Sequence, residues 1–287
     1  QQHRVDAEPP EITKTHPDHG YMRINDTHGY MKAGAEITLS AEDVPTDTCN
    51  VGLAGLYYRY EWNDTMYPAP DEEGAIYGLD LEGICCPLDE NITDYWWYPY
   101  DDSVIFDEEC QHDLYYFAID NLCNYEHHHQ TYYVDDTEPY MEVEYPGHGY
   151  YQDDVDHLKV DTDITLNAYD NPDNMCQTGI ESIFWRYDWN DQFFPSDDGT
   201  GIVHGTDLVN QYGEDYDIPA ITDYYWYRID DATIDVSFPE ECIHNLTFFA
   251  KDNVCHRSVL YNLTFYVDGQ EPGIELEFPE EHGYYYE

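Results

Sequence analysis

The chain repeats itself. The stretch TCNVGLAGLYYRYEWND (48–64) returns as MCQTGIESIFWRYDWND (175–191). Further on, EECQHDLYYFAIDNLCNYE from Glu108 returns as EECIHNLTFFAKDNVCHRS from Glu240, and TYYVDDTEP from Thr131 returns as TFYVDGQEP from Thr264. A third copy opens at Glu271. The boundaries read as 1–137 for module 1, 138–270 for module 2, and 271–287 for the first strand of a third copy or a donor strand. Recurrence at domain spacing marks a tandem array whose units contact their neighbours. It points to a rod or fibre rather than an enzyme, because an active site needs its scaffold only once.

The charge narrows the choice of partner. With 62 Asp and Glu against 10 Lys and Arg, the formal charge of -52 excludes nucleic acid and anionic membrane surfaces, which repel such a chain. Cations are the natural partners. An apolar content of 41% and an aromatic content of 16% nevertheless exceed what an acidic disordered chain carries, so the sequence folds. No apolar run approaches the roughly 20 residues of a membrane-spanning helix. No signal peptide is read, and Gln1 fits a mature N-terminus left by leader removal. Eight cysteines, with N-x-[ST] sequons at Asn25, Asn63, Asn91, Asn245 and Asn262, place the chain outside the cell or on its surface and predict covalent N-glycans.

Each module reads as all-β. Ile37, Leu39 and Ala41 alternate with polar residues, as do Ile164, Leu166 and Ala168. Further inward rows are Leu56, Tyr58, Tyr60, Trp62; Ile183, Trp185, Tyr187, Trp189; Leu114, Tyr116, Ala118; Leu246, Phe248, Ala250; and Tyr132, Val134 with Phe265, Val267. No stretch of similar length has a helical period. Two packed antiparallel sheets are the economical solution for each module. The inserts (67–107 and 194–239) are rich in Tyr, Trp, Asp and Gly and carry no clear period.

The strand GLAGLYYRYEW, the strand EECQHDLYYFAIDN and the closing YYVDDTEP together resemble the Ig-like and fibronectin-type-III-like repeats of bacterial and archaeal surface proteins, whose modules close on a VDxTxP linker. The resemblance covers nearly all of both modules. It implies an all-β fold of two tandem Ig-like antiparallel β-sandwich modules with long inserts, plus a C-terminal extra strand, and it implies this scaffold and a surface location more than one activity. In such a fold the loops after the second and sixth strands meet at one pole. It therefore implies disulfides Cys49 to Cys123 and Cys176 to Cys255. Cys110 and Cys242 correspond at the opposite pole. Cys85 and Cys86, present only in module 1, leave several pairings open: one of them with Cys110, the other with Cys242 across modules or subunits, or a vicinal bridge.

Asp43 and Asp120 end two strands of module 1, and Asp170 and Asp252 end the matching strands of module 2. The linker supplies Asp135, Asp136 and Glu138 beside Asp170, Asp173 and Asp252, a set of hard oxygen ligands that suits calcium; Asp43 and Asp120 mark an equivalent site in module 1. A solvated acidic face is the competing reading. His127, His128 and His129 have no counterparts in module 2, which favours an exposed loop over a metal site. No HExxH, GxSxG or phosphate loop occurs.

The outward tyrosines Tyr57, Tyr115, Tyr133 and Tyr266 read as subunit contacts or sugar platforms. Ile274, Leu276 and Phe278 alternate like a strand whose apolar face needs a sheet. The matching residues are Met141, Val143 and Tyr145 in module 2 but Ile12, Lys14 and His16 in module 1. The sequence thus predicts a glycosylated extracellular filament or surface-layer subunit that polymerises with itself, head to tail. The alternative is an adhesin stalk or carbohydrate-binding array within a larger cell-surface protein.

Overall fold

Strand alternation determines which side chains face inward, and the computed structural model pairs those strands into two sandwiches. It describes residues 6–44, 51–82, 88–145, 150–152, 155–170, 176–197 and 199–275. Module 1 runs β1 (Glu11–Thr15), β2 (Tyr21–Arg23), β3 (His28–Lys32), β4 (Glu36–Glu42), β5 (Leu53–Trp62), β6 (Thr65–Tyr67), β7 (Ile76–Tyr77), α1 (Gly78–Glu82), α2 (Glu90–Thr93), β8 (Trp96–Pro99), β9 (Val104–Ile105), β10 (Cys110–Asp120) and β11 (Tyr125–Asp135). Its small sheet is ordered β1-β4-β9 and its large sheet β2-β3-β11-β10-β5-β8-β7, with β6 on β5.

Module 2 repeats this plan with β12 (Tyr140–Glu144), β13 (Tyr150–Gln152), β14 (Val155–Lys159), β15 (Ile164–Tyr169), β16 (Ile180–Trp189), β17 (Gln192–Phe194), β18 (Ile202–His204), α3 (Gly205–Tyr212), α4 (Pro219–Thr222), β19 (Tyr225–Ile229), β20 (Thr233–Val236), β21 (Cys242–Asp252) and β22 (Tyr261–Asp268). Its sheets are β12-β15-β20 and β13-β14-β22-β21-β16-β19-β18, with β17 on β16. In each module the chain leaves the small sheet and lays a strand parallel to the last one, β3 on β11 and β14 on β22. Two facing sheets joined in this way are the Ig-like and fibronectin-III-like sandwich.

The predicted inward rows fill the cores. Ile37, Leu39, Leu114, Tyr116, Tyr132 and Val134 are buried with Met31 and Phe106 in module 1; Ile164, Leu166, Leu246, Phe248, Phe265 and Val267 are buried in module 2. His112 and His244 are wholly buried and stack on Phe106 and Phe238 at 4.3 Å. Burial holds the His112 imidazole below its ordinary range, so it packs as a neutral aromatic. On β11, His128 and His129 stack on Tyr116 and Tyr115 of β10 at 5.1 and 4.5 Å, and His129 Nε2 lies 3.0 Å from Asp113. The three histidines thus lie within a strand rather than in a loop, His128 and His129 opposite tyrosines and His127 opposite Phe117.

The inserts build a layer that alternation did not anticipate. Leu81, Leu88, Ile92 and Trp97 cover Phe117 and Ile119 on the outer face of the large sheet, and Leu208, Tyr216, Ile221 and Trp226 cover Phe184 and Phe249. Tyr57 stacks on Phe117 at 5.1 Å, and Tyr115 lies 3.8 Å from the Arg59 guanidinium, which Tyr95 flanks from its other side at 3.8 Å. These two tyrosines therefore pack beneath the insert and are not free surface contacts. Tyr133 lies near Tyr30 at 5.7 Å, and Tyr266 stacks on His157 at 5.1 Å.

Each insert depends on one glycine. A Cβ on Gly205 would sit 1.9 Å from the Ile221 carbonyl oxygen, and one on Gly78 would sit 1.9 Å from that of Ile92. The same turns place the Trp226 and Trp97 indole N–H groups 3.0 and 2.9 Å from those carbonyls. Gly205→Ala is expected to cost about 2–3 kcal/mol, as overpacking does, and to lower Tm by about 5 °C or more. Differential scanning calorimetry with Trp fluorescence measures this, and an unchanged midpoint would refute the close-approach argument.

Candidate functional site at the joint between the modules

The linker leaves β11 at Asp135, whose carboxylate ties the two modules together. Its Oδ1 accepts the Thr137 N–H at 2.9 Å; its Oδ2 accepts the Thr178 N–H at 3.2 Å and the Thr178 hydroxyl at 2.9 Å. Thr178 precedes β16 in module 2, so a module 1 carboxylate closes a module 2 loop. Burial raises the Asp135 pKa, the Asp252 charge adds to that, and the hydrogen bonds from Thr137 and Thr178 oppose it.

Asp252 ends β21 and is wholly buried. Its Oδ1 accepts the backbone N–H groups of Val254 and His256 at 2.9 and 2.8 Å, and its Oδ2 meets His256 Nδ1 at 2.8 Å. One atom from each of Asp135, Asp252 and His256 lies within 4.8 Å of the others. Burial works against charge on His256, but the Asp252 hydrogen bond and charge outweigh it and raise its pKa above 6.5. Asp170 accepts the Gly179 N–H at 2.6 Å in the adjoining loop. Asp136 and Glu138 line an adjacent cleft of about 290 Å³ with Lys32, Asp215, His256 and Arg257, where Lys32 Nζ donates to Asp215 Oδ2 at 2.8 Å. That donation holds the Asp215 carboxyl below its ordinary range. Asp173 lies outside the described residues.

A disulfide locks the same joint. Cys110 opens β10 at the pole that the linker leaves, and Cys176 lies at the pole that it enters; their Cα atoms are 4.6 Å apart. The expected Cys176–Cys255 bond is therefore corrected: Cys176 joins Cys110 of the preceding module, and Cys255 carries a free thiol. Pairing by pole within one module overlooked that opposite poles of consecutive modules abut. In the chain-entropy account a loop of 66 residues contributes about 4 kcal/mol. Of the other expected bond, Cys123 is described and Cys49 lies outside the described residues, as do Cys85 and Cys86.

The near pole of module 1 repeats the arrangement. Ligand atoms of Asp6, Asp43 and Asp120 lie within 4.8 Å of one another. Asp43 Oδ2 accepts the Val51 and Gly52 N–H groups at 2.9 and 2.5 Å. Asp120 Oδ1 accepts those of Leu122 and Asn124, both at 2.8 Å, and its Oδ2 accepts the Asn124 side-chain amide at 2.7 Å. Asn124 thus stands where module 2 has His256. Asp6, Thr178, His256 and Asp215 escaped the sequence reading, although VDAEPP from Val5 matches VDDTEP and marks Asp6 as the counterpart of Asp135.

Among the sequons, Asn25, Asn63, Asn91 and Asn262 are exposed. Asn245 is half-buried, and its amide donates to Asp188 Oδ2 at 2.9 Å. Ile274 is 91% exposed, whereas Leu276 and Phe278 lie outside the described residues. Among the described residues no helix is long and apolar enough to cross a membrane.

No protein-family description and no curated protein matches this chain. Among solved structures it is similar to the fibronectin(III)-like modules of Clostridium thermocellum CbhA, with TM-score 0.35 and 11% identity over 93% of this chain and 100% of that one. It is also similar to a structure of a 1.5-MDa bacterial ice-binding adhesin, with TM-score 0.29 and 8% identity over 92% and 67% of the two chains. A third likeness is to the C-terminal domain of Streptococcus pyogenes AspA, with TM-score 0.27 and 11% identity over 91% and 100%.

The groups facing His256 are Asp252 on its own turn, Asp135 from the linker and Lys32 from module 1. Because its folded pKa is raised, the His256 contribution to stability is complete below the unfolded value of 6.5 and is lost as pH rises through the folded value. His256→Asn, the residue module 1 uses, is therefore expected to leave the Tm profile below pH 6.5 similar in shape and to flatten its fall as pH rises above 6.5. Wild-type and variant profiles of identical shape would refute the charged pair.

Proposed function

We propose that this chain is a structural subunit of an extracellular filament or surface layer, assembled head to tail and N-glycosylated. The observation that carries the reading is the joint. A disulfide, a linker carboxylate and an ion pair hold module 1 on module 2, and this resists the bending and shear that a surface fibre meets. The exposed sequons and the disulfide agree with an oxidising, extracellular setting.

Strand donation is the proposed mode of assembly. In module 1, Lys14 of β1 and His16 just beyond it turn toward Tyr132 of the core, and burial lowers their pKa values to about 8 and about 4. A strand that buries ionisable groups there is a weak occupant of the β4 edge. Ile274, Leu276 and Phe278 of a neighbouring copy would supply apolar side chains at those positions. Electron microscopy is expected to show ordered filaments that disappear for a chain ending at Gly269 while both modules stay folded by circular dichroism. Filaments formed by the shortened chain would sink strand donation.

A second reading, an adhesin stalk or carbohydrate-binding array, is supported by matching aromatic clefts in the two modules. Phe193, Tyr224 and Tyr225 line one; Tyr77, Tyr95 and Trp96 line the other. Monodisperse rods in the same images would favour it.

Calcium at the joint is also proposed, on the convergence of Asp135 with Asp252 in so acidic a chain. A cation bound only to the folded state stabilises it by mass action. Chelation should then lower the thermal midpoint; an unchanged midpoint leaves these carboxylates to their hydrogen-bond donors.

A further inference from the structure

Two buried arginines go without an acceptor in a chain that holds 62 acidic residues. Arg23 and Arg228 pair with carboxylates, and Arg257 donates to the Asp215 and Ser258 carbonyls. Arg59 of β5 and its repeat counterpart Arg186 of β16 do neither: both are buried, and the Nε of each meets no acceptor. Among the described residues, no carboxylate, carbonyl or hydroxyl takes a hydrogen bond from either guanidinium. Tyr95 and Tyr115 each lie 3.8 Å from the Arg59 guanidinium and cover its flat faces. Rings on the faces leave the N–H groups in the guanidinium plane unmet, and a buried donor without an acceptor is costly.

Arg59 is only 5% exposed, yet it forms part of the wall of a cleft of about 340 Å³. Met66, Tyr77, Tyr95 and Trp96 also line this cleft, with Asp94 beside them. The insert sets the rings in place: Tyr77 pairs with Trp96 across β7 and β8 with ring centroids 5.3 Å apart, and the Gly78 N–H donates to the Tyr95 carbonyl at 2.8 Å. In module 2, Phe193 stands where module 1 has Met66 and brings a ring to 5.5 Å from Arg186, and the matching cleft is walled by Phe193, Tyr224 and Tyr225. Module 1 is thus the one whose cleft wall carries a buried positive charge.

A ligand for this cleft must bring an acceptor for the in-plane donors and an apolar face for the rings. A carboxylate matches the fork of one guanidinium through two parallel hydrogen bonds and supplies the single charge that offsets it. The faces of Tyr95 and Trp96 suit the C–H face of a pyranose, and the Asp94 carboxylate offers acceptors for its hydroxyls. A ligand of many charges is disfavoured by the net charge of -52 around the cleft. We infer that the module 1 cleft binds a sugar bearing one carboxylate, a hexuronic acid residue of an otherwise neutral glycan, with the carboxylate on the Arg59 guanidinium and the ring against Tyr95 and Trp96. The inference rests on the carbohydrate-binding reading and names its ligand.

The experiment titrates the full chain with the methyl glycosides of glucuronic, galacturonic and mannuronic acid, with the neutral glycosides of glucose, galactose and mannose, and with the methyl esters of the three acids, followed by tryptophan fluorescence and saturation-transfer NMR. At least one acid is expected to bind about tenfold or more tightly than both its neutral counterpart and its ester, as one charge-assisted pair implies. Arg59→Gln should abolish that preference, with circular dichroism checking the fold. Because Arg59 is buried, a second variant, Met66→Glu, changes a residue that is 48% exposed on the cleft wall and should weaken the acid several-fold by adding a like charge. A preference that persists in a folded Arg59→Gln chain, or an acid that binds Met66→Glu unchanged, would overturn the inference. Equal binding of acid, ester and neutral sugar would overturn it but leave the carbohydrate reading standing. Binding of none of these sugars would overturn it and count against that reading as well.

Discussion

A buried carboxylate accepting backbone N–H groups is the interaction on which this structure depends. Asp43, Asp120, Asp135, Asp170 and Asp252 are all buried, and each accepts at least one main-chain N–H from a loop at a module pole. Burying an unpaired carboxylate is costly, whereas one that accepts N–H bonds is compensated and fixes the loop that donates them. A chain of charge -52 thereby turns part of its excess acid into loop geometry. At the joint the donors come from both modules, so the staple that closes a loop also sets one module on the next.

The scarce cations are used in a complementary way. Arg59 is buried between Tyr95 and Tyr115, and Arg186 is buried 3.8 Å from Tyr224. Burial lowers the pKa of both guanidiniums, while neighbouring tyrosine oxygens work to raise it. Stacking on ring faces lets a guanidinium sit beneath the insert with its flat surfaces desolvated. Lys251 is buried too and pairs with Glu181. Arginine at the base of each insert thus joins the outer layer to the sheet and explains why the tyrosines around it are ordered.

The two-sheet fold was legible because the pleat imposes a strict alternation, and rows such as Leu114, Tyr116, Ala118 have no other way to be buried. The third layer was not. Residues such as Leu81, Ile92 and Trp97 share no single period, and their target is the face of the large sheet that a two-layer expectation leaves to solvent. The same omission made Tyr57 and Tyr115 look like free contacts. At the joint, Asp135 and Asp252 were readable from the repeat, but His256 was hidden where module 1 has Asn124. The Cys110–Cys176 bond was hidden for a different reason: its partners lie at opposite poles of the repeating unit and meet only when one unit is stacked on another.

Stacking in this manner gives the pair of modules a direction. The leaving pole carries a cysteine at a strand start, a lysine and a linker aspartate; the receiving pole carries strand-end aspartates and the loops that they hold. Two leaving poles facing each other would set linker carboxylates such as Asp135 against one another, and two receiving poles would leave the Thr178 N–H and hydroxyl without the linker carboxylate that accepts them. Lys32 opposite Asp215, with Arg257 on the same cleft, places cations where two acidic bodies approach. Exposed pairs of this sort contribute little energy but discriminate against wrong orientations. Unlike-to-unlike contact is therefore built into the chemistry of the two poles.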